Sequence, residues 1–151
     1  MDHDAYMRYA LLEAEKAKED GEVPVGCVIA DEKGTIVGRG YNRREKERNA
    51  LAHAEIEAID EACRTLNDWR LSGCSLYVTL EPCPMCAGAI INARIPKLYY
   101  GAKEEQSGAC GSVINLFMER FGHSPQIVGG ILEAECRSVM TGFFRKVRKG
   151  E

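Results

Sequence analysis

Apolar residues recur at helical spacing at both ends of this chain and in short strand-like runs between them. From Asp4 to Asp20, Tyr6, Ala10, Ala14 and Ala17 share one stripe with Met7 and Leu11 beside it. That stripe predicts an amphipathic helix, stopped at Gly21. Val25–Asp31 is a compact apolar run bounded by Pro24 and by Asp31-Glu32-Lys33-Gly34. Thr35–Tyr41 follows, and two such runs across a Gly-containing turn predict a hairpin. Asn42 to Leu51 is polar and reads as a loop. A second helix is expected from Ala52 to about Leu66, burying Ile56, Ile59 and Cys63. Ser75–Leu80 reads as a strand, Cys83–Arg94 as a helix ended before Pro96, and Lys97–Gly101 as another strand. A polar loop over 104–111 leads to 113–121, which fits a short helix. Gln126–Gly129 supplies a fifth strand. Leu132–Lys149 forms the last helix, with Cys136, Val139, Met140, Phe143 and Phe144 on its buried side. Strands alternating with helices predict an α/β protein, a mixed sheet of about five strands covered by helices on both faces. No repeat, low-complexity segment or linker interrupts the pattern, so residues 1–151 are expected to form one domain.

Composition leaves this picture intact. With 45% hydrophobic and 28% charged residues, the chain is an ordinary globular sequence. It has no apolar run of about eighteen residues, so no membrane span is expected. The start, Met1-Asp2-His3-Asp4, lacks the apolar segment of a secretory leader. Seven scattered cysteines, an odd number, argue against a disulfide framework and for a cytoplasmic location. The net charge of −3 gives no reason to expect a nucleic-acid partner, but the charge is uneven. Phe143–Lys149 carries four positive side chains and no negative one. Arg43, Arg44, Lys46 and Arg48 form a second basic group, diluted by Glu45 and Glu47. Each run reads equally as a solvated surface or as a phosphate-contacting patch.

The candidate chemistry lies in Pro82-Cys83-Pro84-Met85-Cys86 and in His53-Ala54-Glu55. Cysteines three apart on a helix have Cβ atoms about 5–6 Å apart, and sulfurs sharing a tetrahedral zinc lie about 3.8 Å apart, a gap that side-chain rotation closes. Pro84 suits the first helical position after a capping Cys83, because its missing N–H would be an orphan there. Both sulfurs then sit at a positive helix end, which favours the metal-binding thiolate. His53 supplies a nitrogen ligand, and three protein ligands leave a fourth position open, the pattern of a catalytic site. His53 and Glu55 converge only if they belong to the first turn of their helix. A carboxylate there can take a proton from a water and hand it on. Two other readings remain open at this point. A redox Cys-x-x-Cys leaves His53 and Glu55 unexplained. A structural zinc site needs a fourth ligand from among Cys27, Cys63, Cys74, Cys110, Cys136, His3 and His123, none of which has paired spacing with the motif. Met85 and Trp69 read as packing residues.

The pair of motifs matches H-x-E…P-C-x-x-C, the signature of the zinc-dependent nucleobase and nucleoside deaminases; the roles below belong to that family's established chemistry and not to the spacing. Within it the chain resembles the bacterial tRNA-specific adenosine deaminases nearly end to end. The likeness runs through Glu22-Val23-Pro24-Val25-Gly26, Gly40-Tyr41-Asn42-Arg43, Leu76–Cys83, Met85–Ala89, Gly101-Ala102, Gly108-Ala109 and Phe143-Phe144-Arg145. The resemblance implies a three-layer α/β/α, cytidine-deaminase-like fold and a homodimer with one zinc ion per subunit. The implied reaction converts adenosine to inosine at the wobble position of a tRNA anticodon, typically in an arginine tRNA. His53, Cys83 and Cys86 would hold the zinc and Glu55 would shuttle protons. Asn42 and the backbone N–H of Ala54 would face the flipped base. The loop at 103–107, with Glu104, and the terminal basic helix, with Arg145, would contact the anticodon stem-loop. Two positions depart from the family pattern: Asn49-Ala50 replaces a common Asp-Pro, and Glu104 stands where an aspartate is common. The alternatives are a free guanine or cytosine-nucleotide deaminase of the same superfamily, and a structural zinc module that binds RNA or protein without catalysis.

Overall fold

A computed structural model of the chain describes residues 2–150; Met1 and Glu151, which the expected domain includes, lie outside the described residues. Helix α1 (His3–Glu19) starts where the Asp2 carboxylate accepts the Ala5 N–H. Its expected stripe of Ala10, Ala14 and Ala17 is buried together with Met7. Strands β1 (Gly26–Ala30) and β2 (Ile36–Tyr41) form the expected antiparallel hairpin. The segment expected to be loop contains one helical turn, α2 (Arg44–Glu47). Its free N–H groups at Glu45 and Lys46 are taken by the carboxylate of Glu22, a partner too distant in sequence for local composition to reveal. Then come α3 (Ala54–Leu66), β3 (Ser75–Leu80), α4 (Pro84–Asn92), β4 (Lys97–Ala102), β5 (Gln126–Val128) and α5 (Glu133–Arg148). Between β4 and β5, the expected short helix over 113–121 contracts to a 3₁₀ turn, Leu116–Met118.

The sheet runs β2-β1-β3-β4-β5. β1 is antiparallel to both β2 and β3, whereas β3, β4 and β5 are mutually parallel. Alternation along each strand serves two cores. Cys27, Ile29, Leu76, Val78 and Leu98 face Ala54, Ala58, Ala62, Ala87 and Ile90 of α3 and α4. Val28, Tyr77 and Tyr99 face Met7 and Ala10 of α1 and Cys136 of α5. The result is the expected three-layer α/β/α sandwich with a five-stranded mixed sheet.

Three packing expectations need correction. The face of α3 against the sheet is Ala54, Ala58 and Ala62, and Ile56, Ile59 and Cys63 are only half-buried. Glycines on β2 explain this: a Cβ at Gly38 or Gly40 would strike the carbonyl oxygens of Ala58 and Ala54, so helix and strand approach closely enough to admit only small side chains. On α5, Cys136 is buried, but Val139, Met140 and Phe143 are half-buried and Phe144 is exposed. Trp69 is exposed as well, with the guanidinium groups of Arg70 and Arg94 over its ring. Gly26 marks another close approach, because a Cβ there would meet the carbonyl of Ala10 and the amide of Ala14 on α1. Gly26→Ala must push helix and sheet apart and should cost about 1–3 kcal/mol, read as a lowered urea midpoint at unchanged m-value.

Candidate active site

β2, β3 and β4 all run in the same direction, because β1 lies antiparallel to both of its neighbours. Their carboxyl ends therefore emerge at one edge of the sheet, where α/β folds build their sites. Asn42 leaves β2 there, Glu81 and Cys83 leave β3, and the 103–107 loop leaves β4. His53 caps α3 and Cys83 caps α4, both with extended backbone and neither with a side-chain capping bond. Pro84 occupies the first turn of α4, as expected, and Cys86 lies one turn inside.

The three donor side chains meet. His53 Nδ1 is 3.7 Å from Cys83 Sγ and 3.6 Å from Cys86 Sγ. All three donor atoms lie within 4.8 Å of one another, and this is the one such group among the described residues that could hold a metal ion. Zinc bonds of about 2.0 Å to nitrogen and 2.3 Å to sulfur, set at a tetrahedral angle, separate the two donor types by about 3.6 Å. The observed spacing fits that edge. The electrostatics fit as well. The Cys86 thiol and the His53 ring hold Cys83 as a thiolate, at about 4. Cys86, facing that charge and buried, is pushed far up instead. Two sulfurs this close cannot both ionise alone, but with a divalent cation between them they can. The bond to Cys83 raises the His53 ring against its burial.

Glu55, in the first turn of α3, is 4% exposed. Burial, seconded by the charge on Cys83, pushes its carboxyl up to about 7. It lines a cavity of about 330 Å³ together with Asn42, His53, Cys83, Glu104 and Phe143. The Asn42 Oδ1 accepts the Ala54 N–H at 2.9 Å. The Ala54 N–H therefore serves Asn42, and the Asn42 amide is the group that borders the cavity. Glu104 also lines the cavity, and one of its carboxylate oxygens accepts the Gln106 N–H. Arg145 is exposed on α5, outside the residues that line the cavity. Its neighbours Phe144 and Arg148 border an adjoining groove with Lys103, Glu105 and Arg137.

Sequence reasoning gave no role to Glu22 or Glu81, which also line the cavity, together with Arg44 of the second basic group and Ser107 of the expected RNA-contacting loop. A signal existed for one of the two glutamates. Glu81 follows the apolar strand 75–80 directly, where an acidic side chain becomes buried and must find donors. The other cysteines and histidines are spent elsewhere. His123 bonds the Ile95 carbonyl, and His3 bonds the Tyr77 hydroxyl and stacks on Tyr99.

Sheet order, a His-Cys-Cys donor set at two helix starts and a buried glutamate beside it define a hydrolytic deaminase. A family model described as MafB19-like deaminase matches residues 1–148. The tRNA-specific adenosine deaminase of Bacillus subtilis (strain 168) is 50% identical over 145 residues, which span 95% of this chain and 89% of that protein. The enzyme of the same name from Rickettsia bellii (strain RML369-C) is 46% identical over 144 residues, 94% of this chain and 99% of that protein. The chain belongs to the tRNA-specific adenosine deaminase family. A solved structure from a study of A-to-I editing by tRNA:A34 deaminases at the wobble position superposes with a TM-score of 0.86 at 43% identity, over 89% of this chain and 98% of that one. A guanine deaminase from Nitrosomonas europaea superposes with a TM-score of 0.80 at 25% identity, over 93% of this chain and 83% of that one.

Proposed function

We propose that this protein hydrolyses adenosine to inosine, with release of ammonia, at the wobble position of a tRNA anticodon. The substrate is an arginine tRNA. Meeting of His53, Cys83 and Cys86 beside the buried Glu55, in a chain so close to the adenosine deaminases, carries this reading. His53, Cys83 and Cys86 are the residues that would hold one zinc ion per chain. Zinc bound there supplies Lewis acidity, which brings the pKa of water down toward neutrality.

Glu55 is the proton carrier. It takes a proton from the water that adds at C6, gives it to the purine ring, and assists the leaving amine. Its burial keeps the carboxyl close to neutral proton affinity, so it can both accept and donate. Asn42, held by the Ala54 N–H, presents its amide to the base and fixes the base's orientation. Ala54 thus contributes through Asn42. A base flipped out of an anticodon loop costs less to unstack than one in a duplex. Glu104 and the basic end of α5, including Arg145, meet the anticodon stem-loop.

The whole chain works as a single domain in the cytoplasm. Among the described residues no helix is long and apolar enough to cross a membrane. The active form is a homodimer, and exposed Val113, Ile114, Met118 and Phe121 supply apolar surface for a second copy.

Nucleoside analysis of a digested anticodon stem-loop carrying A at the wobble position tests the reaction. Inosine should form there and not from free adenosine, and no conversion of the RNA at high enzyme with zinc present ends this reading. A free-base deaminase is separated by charge. Reversing Arg145, Lys146 and Arg148 to Glu should weaken RNA binding and flatten its salt dependence by about 0.7 in log–log slope per lost phosphate contact. An enzyme acting on free guanine or cytosine nucleotides would keep its turnover.

A further inference from the structure

Two carboxylates that the deamination does not use are buried beside the cavity. Glu22, 3% exposed, precedes β1; Oε1 accepts the Glu45 N–H at 3.2 Å and Oε2 accepts the Lys46 N–H at 2.7 Å. Glu81, 2% exposed, follows β3. Its Oε1 accepts the Glu104 N–H at 3.1 Å and the Ser112 hydroxyl. Its Oε2 accepts the N–H groups of Cys110 at 2.8 Å and Ser112 at 3.2 Å. Among the described residues, neither carboxylate pairs with a lysine or arginine. Loop donors alone compensate these buried charges, so each charge and the closed form of its loop require one another. Both loops line the cavity, Arg44 and Glu45 after β2 and Glu104 and Ser107 after β4, two strands that lie on either side of β1 and β3 in the sheet. The second loop wraps closely, since a Cβ at Gly108 would strike the Glu81 carboxylate.

We infer that Glu22 and Glu81 are positioning residues for the RNA, two buried clamps that hold these two loops of the cavity in the form that binds substrate. The inference rests on the proposed RNA substrate and adds what orders the surface that receives it. Both oxygens of each carboxylate accept from N–H groups, so glutamine, which must turn an NH₂ toward one of those donors, cannot replace either. A loop that is open part of the time lowers apparent affinity in proportion to its closed fraction and leaves the chemistry of bound substrate alone.

The test uses zinc-loaded wild type, Glu22→Gln and Glu81→Gln. Amide hydrogen exchange without RNA, RNA affinity by fluorescence anisotropy, and single-turnover deamination at saturating RNA are measured on each. Glu22→Gln should lose protection at residues 45 and 46, and Glu81→Gln at 104, 110 and 112. In each the dissociation constant for the stem-loop should rise about tenfold, as for a loop closed about a tenth of the time, with the saturated rate within about twofold and zinc retained. Unchanged protection overturns the inference, and so does lost protection at unchanged RNA affinity. A lowered saturated rate at unchanged affinity also overturns it and marks a merely structural role. Glu81 lies two residues from Cys83, so if Glu81→Gln loses zinc, Ser112→Ala replaces it; removing one donor should give the same pattern at smaller size. Wild type that binds the RNA without making inosine defeats the proposed reaction and leaves the clamps standing on exchange and affinity. Wild type that does not bind RNA defeats both.

Discussion

Glu55→Ala should give a folded, zinc-loaded protein that binds the anticodon stem-loop and makes no measurable inosine. The side chain is 4% exposed and sits in the first turn of α3, two residues from His53. Its removal takes away a carboxyl that the surroundings already disfavour as an anion, so the fold should not suffer. The metal donors remain, and so does the rim that faces RNA. What is lost is the group proposed to move protons between water, ring and departing amine. Removing a positioned acid–base residue costs about 10²–10⁴ in rate, and here one residue serves more than one transfer, which places the loss at the upper end. Single-turnover assays with nucleoside analysis measure it, beside metal content and thermal melting. A structural zinc module that binds RNA or protein without catalysis would behave identically with and without this carboxyl. Inosine formation at the wild-type rate in the variant would remove Glu55 from the chemistry, whereas that module predicts no inosine from either protein.

The second large effect is expected at Cys86. It is wholly buried, lies one turn inside α4 and stands 3.6 Å from His53 Nδ1. Cys86→Ala leaves one sulfur and one nitrogen, too few for a tight tetrahedral site. Metal content should fall from about one ion per chain to a small fraction, and inosine formation should fall with it. Stability should fall as well. A ligand present at a thousandfold its dissociation constant stabilises by about 4 kcal/mol, and for a chain of this size that corresponds to about 10 °C in melting temperature. Stripping the wild type with a chelator should reproduce the same shift, and Cys63→Ala, at a half-buried position away from the cluster, should not. Full metal retention in Cys86→Ala would mean that another side chain completes the site, and the open fourth position on which catalysis depends would be lost as an idea.

Each strand was legible because it is a short apolar run ended by a turn, and the two cores follow from alternation along those runs. The donor set was legible for a similar reason. Cys83 and Cys86 are separated by less than one helical turn, and Pro84 after Cys83 marks where that turn begins. Misreadings fell where a distant partner decides. α2 forms where loop was expected because Glu22 takes its free N–H groups. α3 buries alanines instead of Ile56 and Ile59 because Gly38 and Gly40 bring β2 close to its backbone. The Ala54 N–H was expected to meet the base, yet it donates to Asn42 across twelve positions of sequence.

From its sequence alone this protein declared its α/β class and two local clusters, His53 with Glu55 and Cys83 with Cys86, since side chains within one helical turn keep their spacing in any tertiary setting. Only the folded chain decided which residues surround that chemistry. With β1 antiparallel between β2 and β3, three strand ends open on one edge, and that edge brings His53 to the cysteines and sets Glu22 and Glu81 under the two rims. Contacts of that kind depend on strand direction and register across the whole sheet, and no local pattern of residues encodes them.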